Sequence, residues 1–293
     1  MSVFLTAFGF GMVTAGIIAL AAVGLSLQIS VTNVPNFAHG ELLTFGAYGA
    51  LVAQFVTNNL FVDAAAGMVA AGLVAFAMNR FVLQSFIRIG TRRIYLLIVT
   101  AGISLFLQNG LAVVFGQPDR VLALPSDASK PYDVGPFIWT KIDMLVMAAA
   151  VVAMVGLYLL LQHTKFGRAQ RAVSDSADLA RVSGVPVKRV VNLTWLIVGC
   201  LAGLAGFAIA ITSGTVTPEM GSTVLLVVFA AAILGGIGRP YGALVAAVII
   251  GIATEVSAAY IDASYKQIIA VAILVIAILF RPNGLFSSAR ETW

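Results

Sequence analysis

The stretch NVPNFAHGELL, Asn33 to Leu43, sets two Asn, a Pro, a His, a Gly and a Glu between two apolar runs. Pro35 cannot extend a preceding helix, because it lacks an N–H and its ring clashes with the turn before it. Asn36 is a favourable N-cap, and Phe37 opens a new apolar run. The stretch therefore ends one helix and starts another, and its polar side chains serve the backbone groups that such a break exposes.

Working outward, the rest of the chain explains why a break needs this much provision. Its 293 residues are 60% hydrophobic and 10% charged, with a mean hydropathy of +1.02, more apolar surface than one soluble core buries. The fold class expected is an all-α polytopic membrane protein, a single transmembrane domain over 1–293. At about 20 apolar residues per crossing of a roughly 30 Å core, nine candidate spans emerge: 8–30, 41–58, 64–86, 94–116, 142–162, 190–212, 222–238, 241–260 and 267–281. The second and seventh are short and begin beside Pro35 and Pro218, which suits broken or re-entrant helices buried by their neighbours. The first basic residue is Arg80, so the N-terminal run lacks the positive flank of a cleaved signal and reads as a retained span.

Basic residues near span ends set the orientation. Segment 163–189 carries Lys165, Arg168, Arg171, Arg181, Lys188 and Arg189, and segment 87–93 carries Arg88, Arg92 and Arg93; both read as cytoplasmic. Threading nine spans through them puts Arg239, Arg281 and Arg290 on the same side. Of 17 basic residues, only Arg120, Lys130, Lys141 and Lys266 then lie outside. The outer side collects Asp63, Asp119, Asp127, Asp133, Asp143, Glu219 and Asp262. The N-terminus is expected outside and the C-terminus in the cytoplasm. TPEMGST, 217–223, repeats the Pro, acid, Gly and cap pattern on the outer face, while the Asn33–Leu43 break lies toward the cytoplasm. Two such breaks suit an inverted internal repeat.

Resident chemistry is not encoded. His39 and His163 lie in no metal-ligand spacing, Cys200 is a lone cysteine, and no cofactor or metal is expected. A serine hydrolase would need a base beside its nucleophile; Ser183 is the nearest Ser-Gly to His163, in the most charged loop. The pattern G-x-x-x-x-G-K-[ST] occurs nowhere, so any ATP-driven function places the ATPase on another polypeptide. No nucleic-acid partner is expected.

Within the inner loop 163–189, Asp175 to Gly184 reads as a short helix. Asp175 can cap it, Asp178 gives a capping-box-like spacing, Gly184 suits C′ and Pro186 blocks continuation. At about two and a half turns it is too short to stand alone. It either rests on lipid headgroups or docks a cytoplasmic partner.

Asn36-Phe-Ala-His-Gly40, Gly46-Ala-Tyr48, TAGISLFLQN at 100–109, FGRAQRAVSDSADLARVSGV at 166–185, LAGLAG at 201–206 and AAILGGIGRPYGALVAAVIIG at 231–251 together resemble the permeases of branched-chain amino acid ABC importers. Nearly the whole chain is covered, and the early GAY with no long N-terminal extension is closer to the LivH type than to its LivM partner. The resemblance implies a bacterial-type inner membrane location, a second permease subunit, two cytoplasmic ABC ATPases and an extracytoplasmic solute-binding protein. It also favours 163–189 as a coupling loop, with Asp175, Ala177, Asp178, Ala180, Arg181, Val182 and Gly184 as the docking element.

Individual polar residues carry two readings each. Glu41 and His39 either satisfy backbone donors and one another or, with Asn36, gate a pathway. Gln108 and Asn109 either line that pathway or join helices. Glu255 either faces the bundle interior or snorkels to the outer surface. Gly199, Gly203 and Gly206 read as close helix contacts. The function expected is inward transport of an amino acid, most simply a branched-chain one, driven by partner ATPases. The alternatives are an ABC permease for urea, short amides or another small solute, and a stand-alone secondary transporter or channel.

Overall fold

In the computed structural model the described residues are 2–57, 59–123, 130–135, 137–280 and 284–285. In chain order, α1 (Ser2–Thr32), α2 (His39–Gln54) and α3 (Leu60–Ala77) lead through a π-helical segment, Met78–Leu83, into α4 (Gln84–Arg88) and then α5 (Arg93–Phe115). Short strands β1 (Arg120–Val121), β2 (Pro131–Val134) and β3 (Phe137–Thr140) precede α6 (Lys141–His163), α7 (Lys165–Asp175), α8 (Ala177–Val182) and α9 (Val187–Ser213). After β4 (Thr215–Val216) come α10 (Met220–Gly235), α11 (Pro240–Tyr260), a 3-10 turn and α12 (Lys266–Phe280). Every expected span falls on a helix. Residue 58, the end of one expected span, and Asp127, Arg281 and Arg290 lie outside the described residues.

Six helical stretches among the described residues are long and apolar enough to cross a membrane: Val3–Thr32, Leu60–Arg88, Ile94–Phe115, Lys141–His163, Val187–Ser213 and Pro240–Tyr260. The short ones include the two expected, since α2 and α10 have 16 residues each, about 24 Å at 1.5 Å per residue. That falls short of a hydrocarbon core of about 30 Å. α12, with 15 described residues, is equally short.

The chain forms two compact units, and α1, α6 and α10 are each divided between them. The first comprises Met1–Ser26, Pro125–Val151 and Leu226–Trp293. Within it a Cβ on Gly251 would lie 2.5 Å from the Ala15 Cα, so α1 and α11 touch backbone to backbone. The hairpin of β2 and β3 presents Phe137 and Trp139, stacked at 5.0 Å, over Gly9 of α1.

The second unit, Leu27–Leu124 and Val152–Leu225, holds the most tightly packed core. A Cβ on Gly199 would stand 2.5 Å from the Ala71 O, and one on Gly203 2.5 Å from the Gly67 O; Gly206 and Gly46 likewise abut the backbones of Leu43 and Gly203. The small residues of LAGLAG thus let α2, α3 and α9 meet at backbone distance, as close-packing membrane helices do. In the same unit β1 pairs antiparallel with β4, Arg120 opposite Val216.

The break between α1 and α2 differs in detail from the expectation. α1 runs to Thr32 and ends on Asn33 at φ +53°, whose N–H reaches the Ile29 O at 2.7 Å; Asn is one of the few side chains tolerated in that left-handed region. α2 begins at His39, and Ala38 holds the cap position without a side-chain bond. Asn36 instead closes a local turn. Its Oδ1 accepts from the Ala38 N–H at 3.0 Å, its carbonyl accepts from the His39 N–H at 3.2 Å, and its Nδ2 donates to the Gln28 Oε1 at 3.1 Å.

Candidate functional site

The broken stretch gathers polar side chains inside the second unit. Asn36, His39 and Glu41 are fully buried, as is Thr44 one turn further along α2. The Ser104 hydroxyl of α5 donates to the Glu41 Oε1 at 3.0 Å, and the Phe37 N–H donates to the Thr100 Oγ1 at 3.3 Å. The second Glu41 oxygen, Oε2, has no hydrogen-bond partner among the described residues. A buried carboxylate held on one side only is costly, and ionisable groups placed so inside a membrane domain mark solute paths.

The two short helices begin against one another. A Cβ on Gly40 would stand 2.8 Å from the Gly221 O, and the Gly221 N–H donates to the Thr44 Oγ1 at 3.1 Å. Glycine is required at this crossing because the two backbones approach within van der Waals distance. The starts of α2 and α10 are thus joined at one point, the arrangement of half-helix ends that broken-helix transporters use at a central site.

From that point a polar face runs along α5. Thr100, Ser104, Gln108 and Ala112 recur every fourth residue, which sets them above one another on a helix. The first two bond the α2 start, and the last two line a cavity of about 490 Å³ whose other walls are Asn109, Gln117, Asp119, Thr217, Pro218 and Glu219. Gln108 and Asn109, offered by the sequence, are therefore cavity residues; Asn109 also donates from Nδ2 to the Leu105 O at 2.7 Å. A second void of about 20 Å³, room for about one water, lies beneath the break among Gln28, Thr32, Pro35, Asn79, Thr100 and Trp195.

Glu255 is placed elsewhere. In the first unit the Lys266 Nζ donates to both of its oxygens at 2.7 Å, and the Thr14 Oγ1 donates to Oε1 at 2.9 Å. Its charge is matched by a cation on α12, so the structure supports a local ion pair for it.

The loop 163–189 folds as two helices. Thr164 caps α7, accepting from the Gly167 N–H at 3.1 Å, and Ser176 caps α8, accepting from the Leu179 N–H at 3.3 Å. Ser176 therefore takes the role expected of Asp175, which ends α7; the break falls one residue later because Ser176 adopts extended backbone. Gly184, at φ +82°, is the C′ residue of a Schellman ending: its N–H bonds the Arg181 O at 3.1 Å and the Val185 N–H bonds the Ala180 O at 2.9 Å.

Ala180 faces the protein's own interior. It is 4% exposed, in a cluster with Val31, Val173 and Val190, and Ala177 packs on that cluster. The expectation that both present a docking face is corrected, since the amphipathic turn directs its small residues inward to anchor the helix. What α8 exposes is Leu179 at 71% and Val182 at 88%, flanked by the Asp178–Arg181 pair at 3.1 Å. The cluster reaches the end of α1 directly, because the Gln170 Nε2 of α7 donates to the Ser30 Oγ at 2.8 Å.

One site escaped the sequence reading. Across the π-helical segment, the Asn79 Nδ2 within it and the Gln84 Nε2 at the start of α4 both donate to the Asn192 Oδ1 of α9, at 2.8 and 2.6 Å. Residues five apart diverge on an α-helix; the wider π turn brings them to one acceptor, and such turns concentrate at functional positions. Only the amide spacing in an apolar span hinted at it.

The family model described as branched-chain amino acid transport system, permease component, matches residues 7–278. The chain is 30% identical over 279 residues to the high-affinity branched-chain amino acid transport system permease protein LivH of Escherichia coli (strain K12), covering 91% of this chain and 90% of that protein. It is 28% identical over 289 residues to the permease protein BraD of Pseudomonas aeruginosa, covering 94% and 93%. It is 24% identical over 272 residues to the ribose import permease protein RbsC of Escherichia coli (strain K12), covering 89% and 81%. No solved structure matches it.

Proposed function

Since the chain belongs to the family of permease components of branched-chain amino acid transport systems, we propose that it is one of two membrane subunits of an importer carrying branched-chain amino acids inward at the expense of ATP hydrolysed by partner chains. The observation that carries this reading is the match to the family over residues 7–278, nearly the full chain. The chain is a multi-pass membrane permease subunit and is not itself a catalyst.

On this reading the second permease subunit completes the membrane core, an extracytoplasmic binding protein delivers the amino acid, and two cytoplasmic ATPases engage the loop 163–189. The N-terminus lies outside and the C-terminus in the cytoplasm. The exposed Leu179 and Val182 of α8 supply apolar contact for an ATPase groove, and Arg181 with Asp178 frames it. A push on α8 reaches Val31 and Ser30 at the end of α1, and hence the Asn33–Asn36 break beside it. Solute passes along the face formed by Gln108, Ser104 and Thr100, with Glu41, Asn36 and His39 at its closed floor.

Co-expression with a second permease, ATPase and binding protein of the same importer class, followed by reconstitution in liposomes, tests the proposal. Leucine uptake that requires both ATP and the binding protein is expected. Uptake by this chain alone under an ion gradient would overturn it, as would an importer that moves only another solute class.

A further inference from the structure

The walls of the 490 Å³ cavity divide by chemistry. Asp119 and Glu219 bring two carboxylates, Gln108, Asn109 and Gln117 bring amides, Thr217 a hydroxyl, and only Ala112 and Pro218 are apolar. No Lys, Arg or His occurs among the described lining residues. The adjacent cation, Arg120, is turned to the end of α5, where Nε and Nη2 donate to the Phe115 O at 3.2 and 2.6 Å. The volume falls within the range of about 300–1,000 Å³ typical of small-molecule sites, but the lining reverses the usual balance of such sites, which are mostly apolar.

An ammonium group offers three donors and no acceptor. Two carboxylates and three amide carbonyls supply acceptors for it, and amide N–H groups remain for a ligand carboxylate. By contrast, an aliphatic side chain of branched shape needs an apolar recess, and Ala112 with Pro218 is too little surface to read one. Gln108 of the cavity wall stands one helical turn from Ser104 and two from Thr100 on α5, the residues that bond Glu41 and Phe37.

Resting on the amino acid reading given above, we infer that this cavity is a receiving site for the α-ammonium group of a small zwitterion, held by Asp119 and Glu219, and that it does not discriminate among side chains. On this inference the permease checks only that the cargo carries an amino group. An inorganic cation would meet the same two carboxylates, so the test separates the two sources of positive charge.

The test uses the whole importer in membranes, with Cys200→Ala and a reporter Ala112→Cys modified by an impermeant thiol reagent. Leucine and alanine are expected to slow modification at concentrations within about threefold of each other. Isopentylamine should also protect, whereas 4-methylpentanoate, which lacks the amino group, should not. Asp119→Asn and Glu219→Gln, separately, should raise the half-protecting leucine concentration about tenfold, because each keeps an acceptor but removes the negative charge that strengthens its bond to the ammonium. Equal protection by 4-methylpentanoate, protection by leucine but not alanine, or protection by calcium and not by isopentylamine would each overturn the inference. Leucine uptake with an unprotected reporter would overturn it while leaving the proposed function standing; loss of leucine uptake from the importer before any substitution would overturn both.

Discussion

Replacing Leu179 and Val182 by Ser removes the apolar surface that α8 turns outward, and its consequence can be worked from exposure. Leu179 is 71% and Val182 88% exposed, so within this subunit the change removes little packing and belongs among surface substitutions, about ±0.5 kcal/mol. If an ATPase groove covers both, each forfeits part of the roughly 1.5–3 kcal/mol that full burial of such a side chain contributes. Taking the pair together at about 3 kcal/mol gives roughly a hundredfold weaker docking. Ala180→Trp is the contrasting change. At 4% exposure among Val31, Val173 and Val190, it overfills the subunit's own cluster and costs about 1–3 kcal/mol or more of fold stability. The assay is co-purification of the ATPases together with leucine-stimulated ATP hydrolysis in liposomes, alongside thermal unfolding of the permease pair in detergent. Leu179→Ser with Val182→Ser should lose the first two readouts and keep the third, whereas Ala180→Trp should lower the third. Undiminished ATPase recovery from the double variant would remove α8 from coupling.

Asn192→Leu should lower the stability of the permease by about 1–3 kcal/mol, because the Asn79 amide, 1% exposed, is left without its acceptor; Asn192→Asp, which keeps that acceptor, should restore most of it in the same unfolding measurement. Ser104→Ala should cost about 1–2 kcal/mol by stripping Glu41 of the hydroxyl that bonds it, while Glu41→Gln should stay near the parent stability yet impair uptake, and unimpaired uptake would leave the Glu41 charge without a transport role. A cysteine at Asp262 should react with an impermeant reagent applied to intact cells and one at Ser183 should not; the reverse pattern would invert the orientation.

Apolarity and punctuation made the helices legible, because a chain in lipid must satisfy its backbone within each element. Pro35 and Pro218 marked the two short helices for the same reason, and the tight spacing of Gly199, Gly203 and Gly206 foretold their close contacts. What remained hidden depended on which face a residue turns. Ala180 and Leu179 are adjacent, and only the tertiary cluster at Val31 and Val190 sends one inward and the other out. Glu255 read equally as a pathway group until its ion pair with Lys266 accounted for it, a contact eleven residues away that no local pattern marks. The amide triad on Asn192 was beyond reach for a different reason: π winding changes the angular period, so Asn79 and Gln84 share a face that helical spacing denies them.

These placements give the proposed coupling loop two routes to the buried start of α2. Val31 and Val190 sit in one cluster with Val173 and Ala180, so whatever displaces α8 loads the last turn of α1 and the first turn of α9 together. On the first route, Ser30 is tied to α7 by Gln170, and the Asn33–Asn36 break follows within the next few residues. Because Asn33 already occupies a left-handed conformation and Pro35 offers no N–H, this segment holds few helical hydrogen bonds to resist a change in angle. On the second route, Asn192 lies two residues beyond Val190 and holds the π turn through both amides. A π turn can relax to α winding by shifting one residue, which rotates the face that follows it. Both routes border the small void lined by Gln28, Asn79 and Trp195. Expansion of that void as α8 moves would open space beside Thr100, one of its lining residues, at the end of the polar face of α5.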